Sequence, residues 1–215
     1  MLAFLGGTGP EGRGLALRLA MAGEATIIGS RDAGRAATTA EELRKLAPQA
    51  SIEGAANADA AAMADAVFLT FPYEGQRPVV EQLGEVLEGK IVVNVIAPMT
   101  FERGRGASAT QVEAGSAAQE AQELLPGSLV VGAFQTVSAE ELLAPSAILV
   151  GDVIVCSDHQ SAKDLVFGLV SKIPNLRPVD GGILANAKYV EQITPLLVNI
   201  NRIYKIHAGI KIVGL

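Results

Sequence analysis

The stretch LGGTGPEGRGLALRLAMAG, residues 5–23, constrains the fold more than any other part of the chain. An apolar run, Leu2–Leu5, precedes it, and a helical pattern from Pro10 to Ala22 follows it. Between them Gly7-Thr8-Gly9-Pro10-Glu11-Gly12 fits the spacing G-x-G-x-x-G, which is informative only in a strand–turn–helix context such as this one. The glycines permit a tight turn, close approach of backbone to a diphosphate, and close helix–strand packing. The diphosphate would meet free amides at the positive end of the helix. Thr8 can add a hydroxyl, and Pro10 suits the first helical turn. Glu11 is expected to offer its backbone amide and to turn its carboxylate to solvent. A turn without a ligand would also use glycines, but it would not need this register of strand and helix.

The rest of the chain repeats the alternation. Strands are expected at Ala25–Ile28, Ser51–Gly54, Ala66–Phe71, Lys90–Ile96, Leu129–Phe134, Val153–Cys156 and Leu176–Val179. Helices are expected at Ala33–Leu46, Asn57–Met63, Gln76–Leu87, a segment ending near Leu125, Ala162–Lys172 and Ala185–Tyr204, the last with a kink at Pro195. Near-continuous apolar strands between helices predict an α/β fold, a Rossmann-type doubly wound and mainly parallel sheet. A boundary near 145 would divide a nucleotide-binding part, 1–145, from a small C-terminal α/β part, 146–215, unless one domain is continuous. The polar, Gly-rich Thr100–Thr110 predicts a mobile loop, and the closing GIKIVGL predicts a final strand.

Composition narrows the classes. With 215 residues, 49% of them hydrophobic, the chain can build one large core. A net charge of −6 and 4% aromatics disfavour a nucleic-acid surface, which needs clustered cations and stacking rings. No apolar run approaches the ~18 residues of a membrane helix. The chain starts on a strand with no basic leader, so no signal peptide is expected and a cytoplasmic setting is. The single cysteine, Cys156, lies in the apolar run DVIVCSD and reads as a small buried hydrophobe. No metal-ligating spacing is present.

The second strand decides the nucleotide. It reads ATIIGSRD and ends without the acidic residue that takes ribose hydroxyls. Ser30 offers a hydroxyl and Arg31 a planar cationic fork, which suit a ribose 2′-phosphate. Arg35 lies one helical turn on and completes a charge clamp. Asp32 is expected to cap the helix that starts at Ala33. NADP(H) is therefore the expected cofactor. Ligands in such folds lie beyond the carboxyl ends of the strands, so Phe71, Pro72 and Tyr73, and then Ile96, Ala97, Pro98 and Met99, should line the nicotinamide side. Arg77 is expected near the adenine or phosphate end.

Acid–base machinery is sparse. His159 reads as a turn residue before a helix, and His207, after the last one, is the more plausible of the two near a ligand, with a surface position as the default. Lys188 and Tyr189 are adjacent, so they face different sides of a helix. That sparseness suits hydride passing directly between two cofactors, with the protein supplying geometry and no side chain acting as a chemical catalyst.

The blocks LGGTGPEGRGLALRLAMAG, IIGSRD, LTFPYE, KIVVNVIAP, LRPVDGGILANAKYVEQITPLLVNI and GIKI together resemble the NADPH:coenzyme F420 oxidoreductase family along the whole chain. The resemblance implies a Rossmann domain with a small C-terminal part, usually as a homodimer or larger assembly. It implies that Thr8 to Glu11, Ser30, Arg31 and Arg35 bind NADP, with Tyr73, Arg77, Met99 and Ala139 along the same cofactor. It further implies a deazaflavin cleft bounded by Ile96, Ala97 and Pro98, by the loop of Gln135, Thr136, Val137 and Ser138, and by the helix around Leu196 and Asn199. Gln135 stands where the family suggests His or Asn, and Tyr73 where it suggests Trp. The F420 tail is anionic, and Lys188, Arg202, Lys205 and Lys211 are basic groups available to it. Two alternatives share the first domain: an NADP-dependent reductase of a small imine, ketone or acid, and a non-catalytic NADP(H) sensor.

Overall fold

The structure, a computed structural model, describes residues 1–215. Six strands form one parallel sheet: β1 (Leu2–Leu5), β2 (Thr26–Ser30), β3 (Ile52–Ala56), β4 (Ala66–Leu69), β5 (Ile91–Asn94) and β8 (Leu129–Gly132). Their order is β3-β2-β1-β4-β5-β8, so the chain reverses its direction of winding between β1 and β4. A crevice opens at such a reversal, beyond the carboxyl ends of the strands. The register is fixed by pairs such as Phe4 with Ile28 and Phe68.

Alternation along β1 explains the layers. Leu2 and Phe4 join a cluster of 29 buried residues with helices α1 (Pro10–Met21) and α2 (Ala33–Leu46). Ala3 and Leu5 face the other side and join a cluster of 22 with α3 (Asn57–Met63), α4 (Gln76–Leu87) and α5 (Ala117–Leu124). A sheet covered on both faces favours apolar residues on both, and the central strands β1 and β4 carry them at every position, whereas Glu53 on the edge strand β3 is exposed. Each large side chain so buried contributes roughly 1.5–3 kcal/mol. Phe4 and Phe68 stack across neighbouring strands with ring centroids 4.6 Å apart.

Strands β9 (Gly151–Val155) and β10 (Leu176–Asp180) form a second parallel pair, linked by α7 (Gln160–Lys172). An antiparallel bridge between Gly132 and Cys156 joins this pair to the main sheet. Val153, Val155, Val166 and Val170 belong to the same cluster as Phe4. Cys156 is buried, and burial pushes its thiol up to about 11. His159 is the N-cap residue of α7.

Three elements differ from the sequence expectation. Thr100–Thr110 contains an antiparallel hairpin, β6 (Met99–Glu102) and β7 (Gly106–Ala109), and not a free loop. Gly104 and Gly106 adopt φ of +86° and +100°, so the glycines that suggested mobility build its turn. Asn199 of the last helix, α8 (Ala187–Tyr204), pins it: Asn199 Nδ2 donates to the Ala107 carbonyl at 2.7 Å, and the Ala107 amide donates to Asn199 Oδ1 at 2.9 Å.

A short helix, α6 (Ala139–Leu143), was not foreseen. It packs on α1, where a Cβ on Gly14 would lie 2.5 Å from Leu142 Cβ. The buried Arg18 guanidinium fixes it by donating to carbonyls that include Glu141 and Leu142, at 2.7 and 2.9 Å. Finally, GIKIVGL makes no strand. Its backbone groups bond to the side chains of Asp152 and Arg177 and to the Asp152 amide.

Candidate functional site

Three glycines shape the first turn in different ways. Gly6, ahead of the motif, has φ of +68°, a backbone state that favours glycine. A Cβ on Gly12 would lie 2.5 Å from Thr70 Oγ1 and 2.6 Å from Gly7 Cα, so α1 and the turn touch there. A Cβ on Gly9 would meet nothing within 3.7 Å. Gly9 therefore leaves open space at the start of α1. No side chain caps α1 at Gly9, and its first amides stay available to an anion.

The end of β2 matches the sequence expectation in geometry. Asp32 Oδ1 accepts from the Arg35 amide at 3.1 Å, so its carboxylate is occupied as the cap of α2. Ser30 is buried and its Oγ accepts from the Asp32 amide at 3.2 Å, which leaves the hydroxyl proton to give. Arg31 and Arg35 are exposed, and neither side chain has a hydrogen-bond or ion-pair partner. Two free guanidinium groups beside a hydroxyl fit a phosphate monoester.

From the glycine turn a cavity of about 880 Å³ runs to α8. Gly9, Pro10, Glu11, Phe71, Pro72, Tyr73, Ile96, Ala97, Met99, Gln135, Val137, Ser138 and Ala139 all line it. Gly7, Thr8, Gly12, Ser30, Arg31 and Arg35 lie outside it, in the turn and along the end of β2. Four expected residues sit elsewhere. Arg77 pairs with Glu120 at 2.9 Å and with Glu81 at 3.5 Å, so its charge is already matched. Pro98 does not line the cavity, and its carbonyl accepts from the Thr110 amide beside the hairpin. Asn199 holds the hairpin, and Leu196 is exposed.

The face of α8 turned inward carries Thr194, Leu197, Val198 and Asn201. That face follows the 3.6-residue period of the buried positions, which would have pointed to it. Thr136, in the loop that the resemblance places at the cleft, and Lys205, one of the basic groups expected for the tail, also line the cavity, as do His207 and, unmarked by any sequence pattern, Ile206 and Ala208. His207 Nδ1 lies 3.2 Å from Ser138 Oγ and its Nε2 3.6 Å from Glu140 Oε2.

Gln135 is placed with care. Phe134 before it has φ of +71°, which is uncommon for a bulky residue and costs on the order of 1–3 kcal/mol unless the surroundings hold it. Buried packing near Phe68 holds it. Gln135 Nε2 donates to the Asn94 carbonyl at 3.1 Å. A carbonyl can only accept, so the amide orientation is fixed. Gln135 Oε1 is consequently a buried acceptor with no partner in the protein. Such an atom calls for a ligand that presents N–H or O–H. Asn94 is itself held by Gln76, through a 2.7 Å bond.

Glu11 departs from expectation. Its Oε1 is sealed from solvent and unpartnered, although the residue as a whole is only half-buried. Burial pushes its pKa up to about 8. A neutral carboxyl would not repel a diphosphate brought to the start of α1, whereas an ionised one would. Its proton is held in the fold up to about pH 8 but leaves an unfolded chain near 4.5. The stability this provides is therefore full below 4.5 and is lost as pH rises through 8. NADPH affinity is expected to weaken up to about tenfold between pH 7 and 9, and Glu11→Gln to abolish that dependence. Titration calorimetry across this range checks it.

Comparison with known proteins now bears on this geometry. Residues 1–98 match the family described as NADP oxidoreductase coenzyme F420-dependent. The F420-dependent NADP reductase of Methanothermobacter marburgensis is 40% identical over 221 aligned positions, covering 100% of this chain and 98% of that protein. This chain belongs to the F420-dependent NADP reductase family. The reductase of Methanocaldococcus jannaschii is 38% identical over 100% of this chain and 98% of its own length. A solved structure from Arthrobacter sp. FB24, provisionally described as an F420-dependent NADP reductase, superposes with a TM-score of 0.83 at 26% identity, over 98% of each chain. The likeness thus runs over the whole chain, including the β9–β10 pair and α8, and not just over residues 1–98.

Proposed function

We infer that the protein is an oxidoreductase that exchanges a hydride between NADPH and coenzyme F420. The observation that carries this is the single cavity joining the Gly9–Glu11 turn to the inner face of α8. It is large enough for two ring systems laid together. When bound, NADPH supplies the hydride and oxidised F420 takes it up together with one proton from solvent, leaving NADP⁺.

The chain's own residues bind and orient. The α1 amides and Gly9 take the diphosphate, and Ser30, Arg31 and Arg35 take the 2′-phosphate. Phe71, Pro72 and Tyr73 at the end of β4 and Ile96 and Ala97 after β5 form the walls about the nicotinamide. Gln135 Oε1 accepts an N–H of a ring or carboxamide and so fixes one edge of the reacting pair. Val137, Ser138 and the α8 residues Thr194, Leu197 and Val198 bound the deazaflavin side. Of the basic groups considered for the F420 tail, Lys205 alone lines the cavity. Catalysis is positioning in a largely apolar enclosure, and the effective molarity of two aligned rings supplies the acceleration.

The test is an F420 absorbance time course with NADPH and, separately, NADH. Bleaching with NADPH, and at least about a hundredfold slower bleaching with NADH, supports the reading. Bleaching at equal rates overturns the phosphate clamp. NADPH binding without bleaching overturns F420 as substrate.

We also infer a homodimer. Tyr189, Leu196 and Ile203 are exposed on α8, with Ile193 and Ile200 half-buried between them, a stripe of period 3.5. An apolar stripe of that length suits a second copy of the same helix. Sedimentation is expected to give twice the 22.2 kDa chain mass, and Leu196→Glu to give a monomer.

A further inference from the structure

The C-terminal segment after α8 forms one wall of the cavity, yet little apolar packing holds it. Ile206, Ile212, Val213 and Leu215 are all exposed. A second void of about 30 Å³ lies beneath residues 207–210, against the loop of Thr136, Val137 and Ser138. Polar anchors do the holding. At the near end, the Ala208 amide donates to Asn201 Oδ1 at 2.6 Å. At the far end there is one centre, the buried Asp152 carboxylate with Arg177. Arg177 Nε and Nη2 donate to Asp152 Oδ1 and Oδ2 at 2.8 and 2.7 Å, a bidentate pair. The same guanidinium donates to the Ile212 and Leu215 carbonyls at 2.9 and 2.6 Å. The Ile212 amide donates to Asp152 Oδ2 at 2.6 Å, and the Asp152 amide donates to the Ile210 carbonyl at 2.7 Å. Arg177 holds the Asp152 carboxyl below the usual carboxylate range, so the pair is charged at neutral pH.

We propose that Asp152 and Arg177 are positioning residues for the second substrate: they clamp the tail so that residues 205–208 keep their place as a wall of the cavity. The proposal rests on the reading of that cavity as the F420 site. Neither residue lines the large cavity, and both stand on the β9–β10 pair. They act through the tail, and the tail presents Lys205 and His207 to the ligand. A wall free to swing would leave the F420 ring less confined without disturbing the glycine turn or the β2 clamp. The effect therefore falls on one substrate. A role in stability alone would move both substrates or neither.

The test uses the full-length protein carrying Arg177→Gln, with Arg177→Lys as the conservative variant. Lysine keeps a charge for Asp152 but cannot fork to two carbonyls as well. The expected result for Arg177→Gln is a KM for F420 raised about tenfold, with the KM for NADPH and kcat within twofold of wild type. Arg177→Lys is expected to fall between the two. Hydrogen exchange in residues 205–215 is expected to quicken while the β1–β5 amides keep their protection. An unchanged KM for F420 beside faster exchange in the tail overturns the proposal, and so does an equal rise in both KM values. Wild-type protein that binds NADPH but does not reduce F420 overturns the functional reading instead, so the two failures are told apart.

Discussion

Replacing Arg31 and Arg35 together by alanine is expected to raise the KM for NADPH about a hundredfold and to leave the KM for NADH within about threefold. Both guanidinium groups stand free at the end of β2. Neither forms an ion pair, and the neighbouring Asp32 turns Oδ1 to the Arg35 amide as the α2 cap. A larger loss is not expected, since both side chains are exposed and solvent screens part of each interaction. Steady-state kinetics with the two nucleotides checks the result. A variant that loses NADPH and NADH equally would place the 2′-phosphate elsewhere.

Gly12→Ala is expected to have the second large effect, through shape and not charge. The added methyl would lie 2.5 Å from Thr70 Oγ1 and 2.6 Å from Gly7 Cα. Thr70 cannot retreat freely, because its hydroxyl donates to the Leu5 carbonyl at 2.9 Å. The clash must push α1 away from the turn, which carries the amides off the diphosphate. The expected outcome is a stability loss of about 1–3 kcal/mol, with NADPH affinity down more than tenfold. Denaturant titration and calorimetry measure both. Gly9→Ala is the useful contrast. Its Cβ has room in the protein, so that variant should keep its stability and lose affinity alone.

The fold was legible in the sequence because period and punctuation agreed. The bounds expected for α2, α3 and α4 match the structure residue for residue. What the sequence hid has physical causes. The β6–β7 hairpin is polar and Gly-rich, and its hold on α8 comes from Asn199, nearly a hundred residues away. Helix α6 is only five residues long and is held by Arg18, a contact no local pattern reveals. The tail carries the apolar rhythm of a strand, but Asp152 and Arg177 take its backbone bonds in place of a neighbouring strand.

The site was legible where its chemistry is local. The glycine turn and the Ser30–Arg31 strand end are short motifs in register with their elements. Residues brought in from afar were harder to place. The resemblance implies Leu196 and Asn199 of α8 at the cleft, but the helix turns Leu197 and Val198 inward. Glu11 shows the same limit. Its neighbours in sequence suggest an exposed helix start, but the folded chain closes over its carboxyl. Burial is a property of the assembled layers and not of the motif.

The account stands on direct transfer between two rings held in one cavity. The measurement that tests this is the fate of deuterium from NADPH labelled at the transferring nicotinamide carbon, in ordinary water, followed by mass spectrometry of the reduced F420. Direct transfer predicts one deuterium retained in each product molecule made by the protein, with none washed into solvent. Product carrying only solvent hydrogen at that carbon would show that the hydride does not pass between the rings, and would contradict the account.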